Sequence, residues 1–254
     1  LLTGFVYPLA RLVALSLPDM SLELYIRIFR EPLYLNVLFS TTVVALAVMC
    51  CCLLLGFPVA YAMVRLKHPW ALILTGCVLI PLWTSVLVRS YAWIVLLQRT
   101  GIVNQALQAV GLSDGPIRIL FSETAVFIGL LQLFLPLMII SLISALENMP
   151  KDTIAAARVL GANWFQVFWK VILPLTREGL VVGGTLVFTG SLTAYITPAI
   201  LGGSKVLMLE TLLYQQVTVS NNFVAASVIA FILIVMSFAA NILLKRIATA
   251  RNKK

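Results

Sequence analysis

Charge is what this sequence has least of. Charged residues fill 11% of its 254 positions, where soluble domains carry roughly 25%. Only nine residues are acidic. They supply no carboxylate pair for acid–base work, and no Ser/His/Asp set accompanies them, so no catalytic residue is assigned. The Gly183-Gly184 and Gly202-Gly203 pairs lack the Lys-Ser/Thr of a nucleotide cradle. Histidine occurs once, at His68, and cysteine four times. Cys50, Cys51 and Cys52 are consecutive and Cys77 stands alone. None has metal-ligand spacing, so no metal site is assigned and the four read as small apolar residues. No basic segment is interleaved with aromatics, which argues against a nucleic-acid partner.

What is present is apolar length. Hydrophobic residues make up 61% of the chain and the mean hydropathy is +1.06. The runs are helix-length rather than strand-length, which predicts an all-α polytopic membrane protein with about six transmembrane helices. The spans fall near Leu1–Leu17, Val37–Val64, Trp70–Leu97, Thr124–Leu146, Gly179–Leu201 and Phe223–Leu244. The first run is slightly short and lacks the basic start and cleavage site of a signal peptide. The expectation is that the sequence begins inside a first transmembrane helix, N-terminally truncated. Asp19–Asn36 reads as a helix on the membrane surface, with Leu22, Tyr25, Ile26 and Phe29 on one face. Gly56-Phe57-Pro58 predicts a bend, Pro81 a break, and Val103–Val110 a short helix in a polar connection. The whole, 1–254, is expected to be a single transmembrane domain.

The net charge is +9. Arg65, Lys67, Lys151, Arg158, Lys170, Arg177 and the basic tail from Lys245 lie on one side of the predicted spans. That side holds eleven cations against three anions, and the other seven against six. By the positive-inside rule it is cytoplasmic, with both termini, beside anionic membrane lipids.

Between the fourth and fifth spans lies Asp152–Leu175, DTIAAARVLGANWFQVFWKVILPL. Pro150 fits a first helical turn, and Asp152 complements the helix dipole. Ala155, Ala156 and Ala157 form helix with almost no side chain, giving a surface that another protein can approach closely. Gly161 lets the chain turn. Trp164, Phe165, Phe168, Trp169 and Ile172 then share one helical face, Asn163, Gln166 and Lys170 the other, and Pro174 ends the pattern. The expectation is a helix–turn–helix at the membrane surface, apolar on one face and with a small-residue knob toward solvent.

This stretch resembles the EAA loop of type I ABC importer permeases. Ala155-Ala156-Ala157 stands in the Glu-Ala-Ala slot, Gly161 follows at the family spacing, Ala162 comes next, and Leu173-Pro174 closes the motif. Ala155 replaces the usual Glu, so a salt bridge from that position is absent. The resemblance implies a cytoplasmic coupling loop at 150–175 that docks on an ATPase through Ala155, Ala156, Ala157, Gly161, Ala162 and Pro174, with Arg158 at the rim.

Candidate pathway residues come from polarity inside spans. Arg89 lies in the third span, where a charge is costly. Three placements are open to it: lining a pathway, pairing with Glu123 or Glu210, or snorkelling to the interface. Tyr91 and Trp93 are pathway aromatics or belt residues. Thr193, Tyr195 and Thr197 precede Pro198, and Glu210 follows in the next connection; they line a cavity or pack helices. Arg89-Ser90-Tyr91, Gly115-Pro116-Ile117-Arg118 and Tyr195–Gly203 further resemble membrane subunits of spermidine/putrescine-type importers, a group that also takes γ-aminobutyrate, opines and related compounds. That resemblance implies polyamine import with a second homologous permease, two ATP-binding subunits that hold the ATP and Mg²⁺, and a periplasmic or lipid-anchored substrate-binding protein. No cofactor is assigned to this chain, and no enzymatic activity. The rival classes are an ion-driven secondary transporter and a non-transporting membrane scaffold. A copurifying ATP-binding chain and dependence on ATP discriminate them.

Overall fold

The computed structural model describes residues 2–16, 23–150 and 152–249. Asp19 to Leu22 of the expected surface helix, Lys151, and Arg251, Lys253 and Lys254 of the basic tail lie outside the described residues. Among those described, the secondary structure is helical throughout: α1 Leu2–Ser16, α2 Glu23–Arg30, α3 Pro32–Arg65, α4 His68–Trp83, α5 Val86–Leu97, α6 Ile102–Ala109, α7 Glu123–Glu147, α8 Asp152–Val159, α9 Trp164–Val167, α10 Leu173–Leu175, α11 Arg177–Leu192, α12 Ile196–Leu201, α13 Leu209–Thr218 and α14 Phe223–Thr249.

Four helical stretches are long and apolar enough to cross a membrane: Pro32–Arg65, Val86–Ala109, Glu123–Glu147 and Phe223–Arg246. A fifth arises if the bent pair Trp164–Leu175 and Arg177–Leu192 is one span. Six were expected. The unmatched one is the first, where α1 has 15 residues and falls short of the ~20 that a straight crossing takes; the third expected run is divided between α4 and α5.

Several expected breaks move. The third run is cut at Thr84, not at Pro81. Thr84 is extended, and both its N–H and its hydroxyl donate to the Pro81 carbonyl, so a local side-chain bond replaces the helical continuation. The Gly56-Phe57-Pro58 stretch does not interrupt the helix, since α3 is helical from Pro32 to Arg65. Gly56 is instead a point of close approach, where a Cβ would sit 3.2 Å from Met138 Cγ of α7. The fifth run ends at Leu192 and restarts at Ile196. Pro198 thus falls in the first turn of α12, where its missing N–H costs little.

The chain's contacts divide it into two compact units. The first comprises Leu1–Leu46, Val86–Leu130 and Ser191–Ala239; the second Ala47–Ser85, Leu131–Gly190 and Ala240–Lys254. In the first, Ile28, Val228 and Ile232 form a buried cluster against which Tyr25, Tyr34, Leu38 and Met236 pack. This corrects the expected face of α2: Tyr25 and Ile28 turn inward, while Ile26 and Phe29 are about half exposed, at 51% and 48%. The buried Thr41 hydroxyl donates to Val37 O at 2.6 Å and accepts Leu209 N at 3.0 Å. Buried Asn104 on α6 holds the following loop by donating to Gln98 O and Ile117 O and accepting Ile117 N.

In the second unit small residues let α7 and α11 meet. A Cβ at Gly179 would lie 2.5 Å from Ala145 Cβ and 2.6 Å from Ser141 O. One at Gly183 would lie 2.7 Å from Met138 Sδ. Buried Cys52 on α3 directs its thiol to Leu131 O at 3.8 Å, in keeping with its reading as a small core residue.

Candidate functional site

The predicted helix–turn–helix is present in the second unit. Asp152 opens α8 and Arg158 closes it, each with the sign that the helix dipole favours. Ile154 is buried and anchors the helix, while Ala155 and Ala156 are exposed and Ala157 is half-buried. The end of α8 is a Schellman motif. Gly161 N donates to Arg158 O at 2.9 Å and Ala162 N to Ala157 O at 3.1 Å, with Gly161 at φ +82°. A Cβ there would touch nothing within 4 Å, so the demand for glycine is conformational rather than steric.

Asn163 then restarts the helix through a capping box. Its Oδ1 accepts Gln166 N at 2.8 Å, and its N–H donates to Gln166 Oε1 at 3.1 Å. After α9, Phe168–Ile172 form a π-helical turn in which Leu173 N reaches back to Phe168 O. Pro174 explains the widening, since it has no N–H to give Lys170 O and its ring crowds the preceding turn. The chain bends by 68° before α11, and Thr176 Oγ1 closes the corner onto Ile172 O at 2.9 Å.

The apolar face of this segment divides. Val167 and Ile172 are buried, whereas Trp164, Phe165 and Trp169 are 49%, 70% and 51% exposed. Aromatic edges tie the segment to α3: Phe57 to Phe168 at 5.3 Å and Tyr61 to Trp164 at 5.7 Å. Arg158 stacks over Trp164 and Arg65 over Tyr61. The sequence reading missed two groups here. Val159 and Leu160 are each 87% exposed at the tip of the knob; the signal was a pair of large apolar residues immediately before a helix-ending glycine. Tyr61 and Arg65 were missed because only tertiary contact brings them to the loop.

The pathway candidates lie in the first unit, where α5 packs on α12. Arg89 is half-buried, and its Nε and Nη1 are sealed from solvent without a hydrogen-bond partner. Of the three placements open to Arg89, pairing with Glu123 or Glu210 is not found; Glu123 accepts Ser40 Oγ at 2.8 Å. Trp93, one helical turn on, is half-buried, whereas Tyr91 is 61% exposed on another face. Thr193 is exposed and Tyr195 half-buried in the break before α12. Thr197 is 3% exposed and lies against Gly129 of α7. Glu210 is half-buried in the first turn of α13, and burial pushes its carboxyl above the usual range. Tyr214, one turn further, brings its ring 4.4 Å from that of Tyr195. The structure thus joins Tyr195 to the α13 face that carries Glu210.

The chain matches the family described as "Binding-protein-dependent transport system inner membrane component" over residues 52–253. It belongs to that family. It is a permease subunit of an ABC importer, a multi-pass inner-membrane protein whose transport depends on a substrate-binding protein. The permease is 36% identical over 233 residues to the spermidine/putrescine transport system permease protein PotB of Haemophilus influenzae, covering 89% of this chain and 81% of that one. It is 35% identical over 196 residues to PotB of Escherichia coli, covering 77% and 71%. A chain from a crystal structure of a bacterial alginate ABC transporter, bound to an alginate pentasaccharide-loaded periplasmic protein, superposes with a TM-score of 0.77 at 15% identity. The superposition covers 98% of the permease and 90% of that chain and establishes the fold.

Proposed function

We propose that the permease imports polyamines of the spermidine/putrescine type and that Asp152–Leu175 is the cytoplasmic loop through which ATP hydrolysis elsewhere drives it. The carrying observation is the knob: α8 presents two bare alanines and two exposed apolar side chains at its tip, locked by the Gly161 Schellman motif. Such a surface fits a groove on another protein, and the aromatic edges to α3 give motion of the knob a route into the spans. Residues 1–254 act as one permease domain with 150–175 as its coupling loop, and Ala155, Ala156, Ala157, Arg158, Gly161, Ala162 and Pro174 shape it. A second homologous permease, two ATP-binding subunits carrying ATP and Mg²⁺, and a periplasmic or lipid-anchored binding protein complete the complex. Both termini are cytoplasmic.

Transport proceeds by alternating access. Closure of the ATP-binding subunits moves α8, the paired permeases open outward under the binding protein, and hydrolysis returns them inward. On the pathway, the Tyr195–Tyr214 ring pair suits an ammonium group through cation–π attraction, and a bound cation would in turn favour the ionised form of Glu210 that burial disfavours. Arg89 favours a second reading. Its unpartnered guanidinium suits a substrate that also carries a carboxylate, such as γ-aminobutyrate or an opine. Tyr91, Trp93, Thr193 and Thr197 complete the candidate lining.

The test is ATPase activity of the complex in lipid with a loaded binding protein. Stimulation by spermidine- or putrescine-loaded protein supports the first reading. Stimulation only by an amino-acid-loaded protein supports the second. Absence of a copurifying ATP-binding chain would sink the coupling assignment.

A further inference from the structure

Within the second unit, α3, α11, the C-terminal part of α14 and the π-turn line an open-sided cavity of ≈ 290 Å³. Its wall is apolar, made by Met49, Leu53, Leu173, Leu180, Val181 and Leu244. Trp169 and Arg177 complete the lining, and Arg177 is its one charged side chain. Among the described residues no carboxylate pairs with it. Its neighbour Glu178 lines a separate cavity with Ser144 and Asn148. Trp169 is 51% exposed. A half-exposed Trp beside a cation is the side-chain pairing of a membrane–water interface.

We propose that this cavity holds a phospholipid with an anionic headgroup, one acyl chain filling the apolar chamber and the phosphate resting on Arg177. The volume lies near the lower end of small-molecule sites, roughly 300–1,000 Å³, which suits part of a chain rather than a whole solute. Beyond Arg177 and Trp169 the wall offers a polar solute no hydrogen-bonding side chain. Charge complementarity selects the headgroup: basic pockets between membrane helices recognise anionic lipids.

Gly184 supplies a direct test. A Cβ there would lie 3.6 Å from Met49 Sδ and 4.0 Å from Leu244 Cδ1, ordinary contact distances, so a larger side chain grows into the chamber without striking backbone. The assembled complex is placed in nanodiscs of dioleoylphosphatidylglycerol and dioleoylphosphatidylcholine, and retained lipid is counted by native mass spectrometry. Wild type is expected to keep phosphatidylglycerol over phosphatidylcholine by about fivefold per engaged cation. Arg177→Gln removes that preference but still retains lipid, and Gly184→Leu loses the retained lipid. Assembly is checked by the copurifying subunits, so failure of the complex to form is not confused with loss of lipid. Equal retention of both lipids by wild type, or an unchanged adduct in Arg177→Gln, overturns the proposal. So does a photocrosslinker at Leu244 that captures the partner permease and no lipid.

Discussion

The guanidinium carbon of Arg158 lies 5.6 Å from the centroid of the Trp164 ring. One residue ends α8 and the other begins α9, so the pair clasps the turn between them. Trp164 meets Tyr61 edge-on, and Arg65 caps Tyr61 at 5.2 Å. This alternation of cation and ring runs from the knob to the end of α3. Arg158→Gln is expected to leave the melting temperature within about 3 °C of wild type, given the modest worth of an exposed cation–π pair. Trp164→Ala should uncouple the complex more strongly, because it cuts the link to α3 as well. ATPase stimulation by a loaded binding protein, compared with thermal stability, measures the distinction.

Gly161 sits at φ +82° with open space around it. Substitutions should therefore rank by backbone preference and not by size. Gly161→Asn is expected to keep more transport than Gly161→Ala, which costs about 1 kcal/mol of local helix-end stability. Gly161→Val should be worst, and Ala157→Trp, which covers the small-residue surface, should abolish coupled transport while membrane insertion persists. Uptake normalised to the amount of inserted protein gives the order; a ranking by side-chain volume would contradict the Schellman account.

Val159 and Leu160 contribute almost nothing to this chain's own core, since each is 87% exposed. Val159→Ser with Leu160→Ser is expected to leave the permease folded and inserted. If both side chains are buried by the ATP-binding subunit, their loss costs about 2–3 kcal/mol, a roughly 30- to 150-fold loss of affinity. Copurification of that subunit, set against thermal stability of the double variant, reads it directly.

Glu210 has its carboxyl pushed up by burial. The folded chain then holds a proton that the unfolded chain releases. Stability from this group is full below the unfolded pKa and falls as pH rises through the folded one. Glu210→Gln should therefore raise the melting temperature at pH 7 to 8, with the gain shrinking as pH falls toward about 4. A gain that is constant across pH would separate the effect from titration.

At Gly179 a side chain meets Ser141 O and Ala145 Cβ within 2.6 Å. Gly179→Leu is expected to destabilise by about 1–3 kcal/mol through overpacking, whereas Gly184→Leu in the same helix should be far milder. Thermal melts of the two variants in one detergent check the contrast.

Much of this was legible in the sequence, for identifiable reasons. Helix-length apolar runs announced an all-α membrane protein, because unpaired backbone cannot face lipid. The knob was legible because its signals are local: Asp152 and Arg158 at the ends of one short helix, Gly161 two residues beyond it, Asn163 and Gln166 spaced for a capping box. Breaks inside spans were less legible. A proline marks a weak point but does not by itself place the break. α4 runs past Pro81 and ends where Thr84 caps the Pro81 carbonyl, while Pro58 lies within an unbroken helix.

Local chemistry and hydrophobic length thus determined what the elements are and where the loop lies. Only tertiary packing decided which residues of those elements meet. No pattern along the chain sets Tyr61 on Trp164, brings Tyr195 against Tyr214, or denies Arg89 an acid. Those outcomes depend on the register at which helices distant in sequence settle, and that register is fixed by small differences in close packing around residues such as Gly56, Gly129 and Gly179.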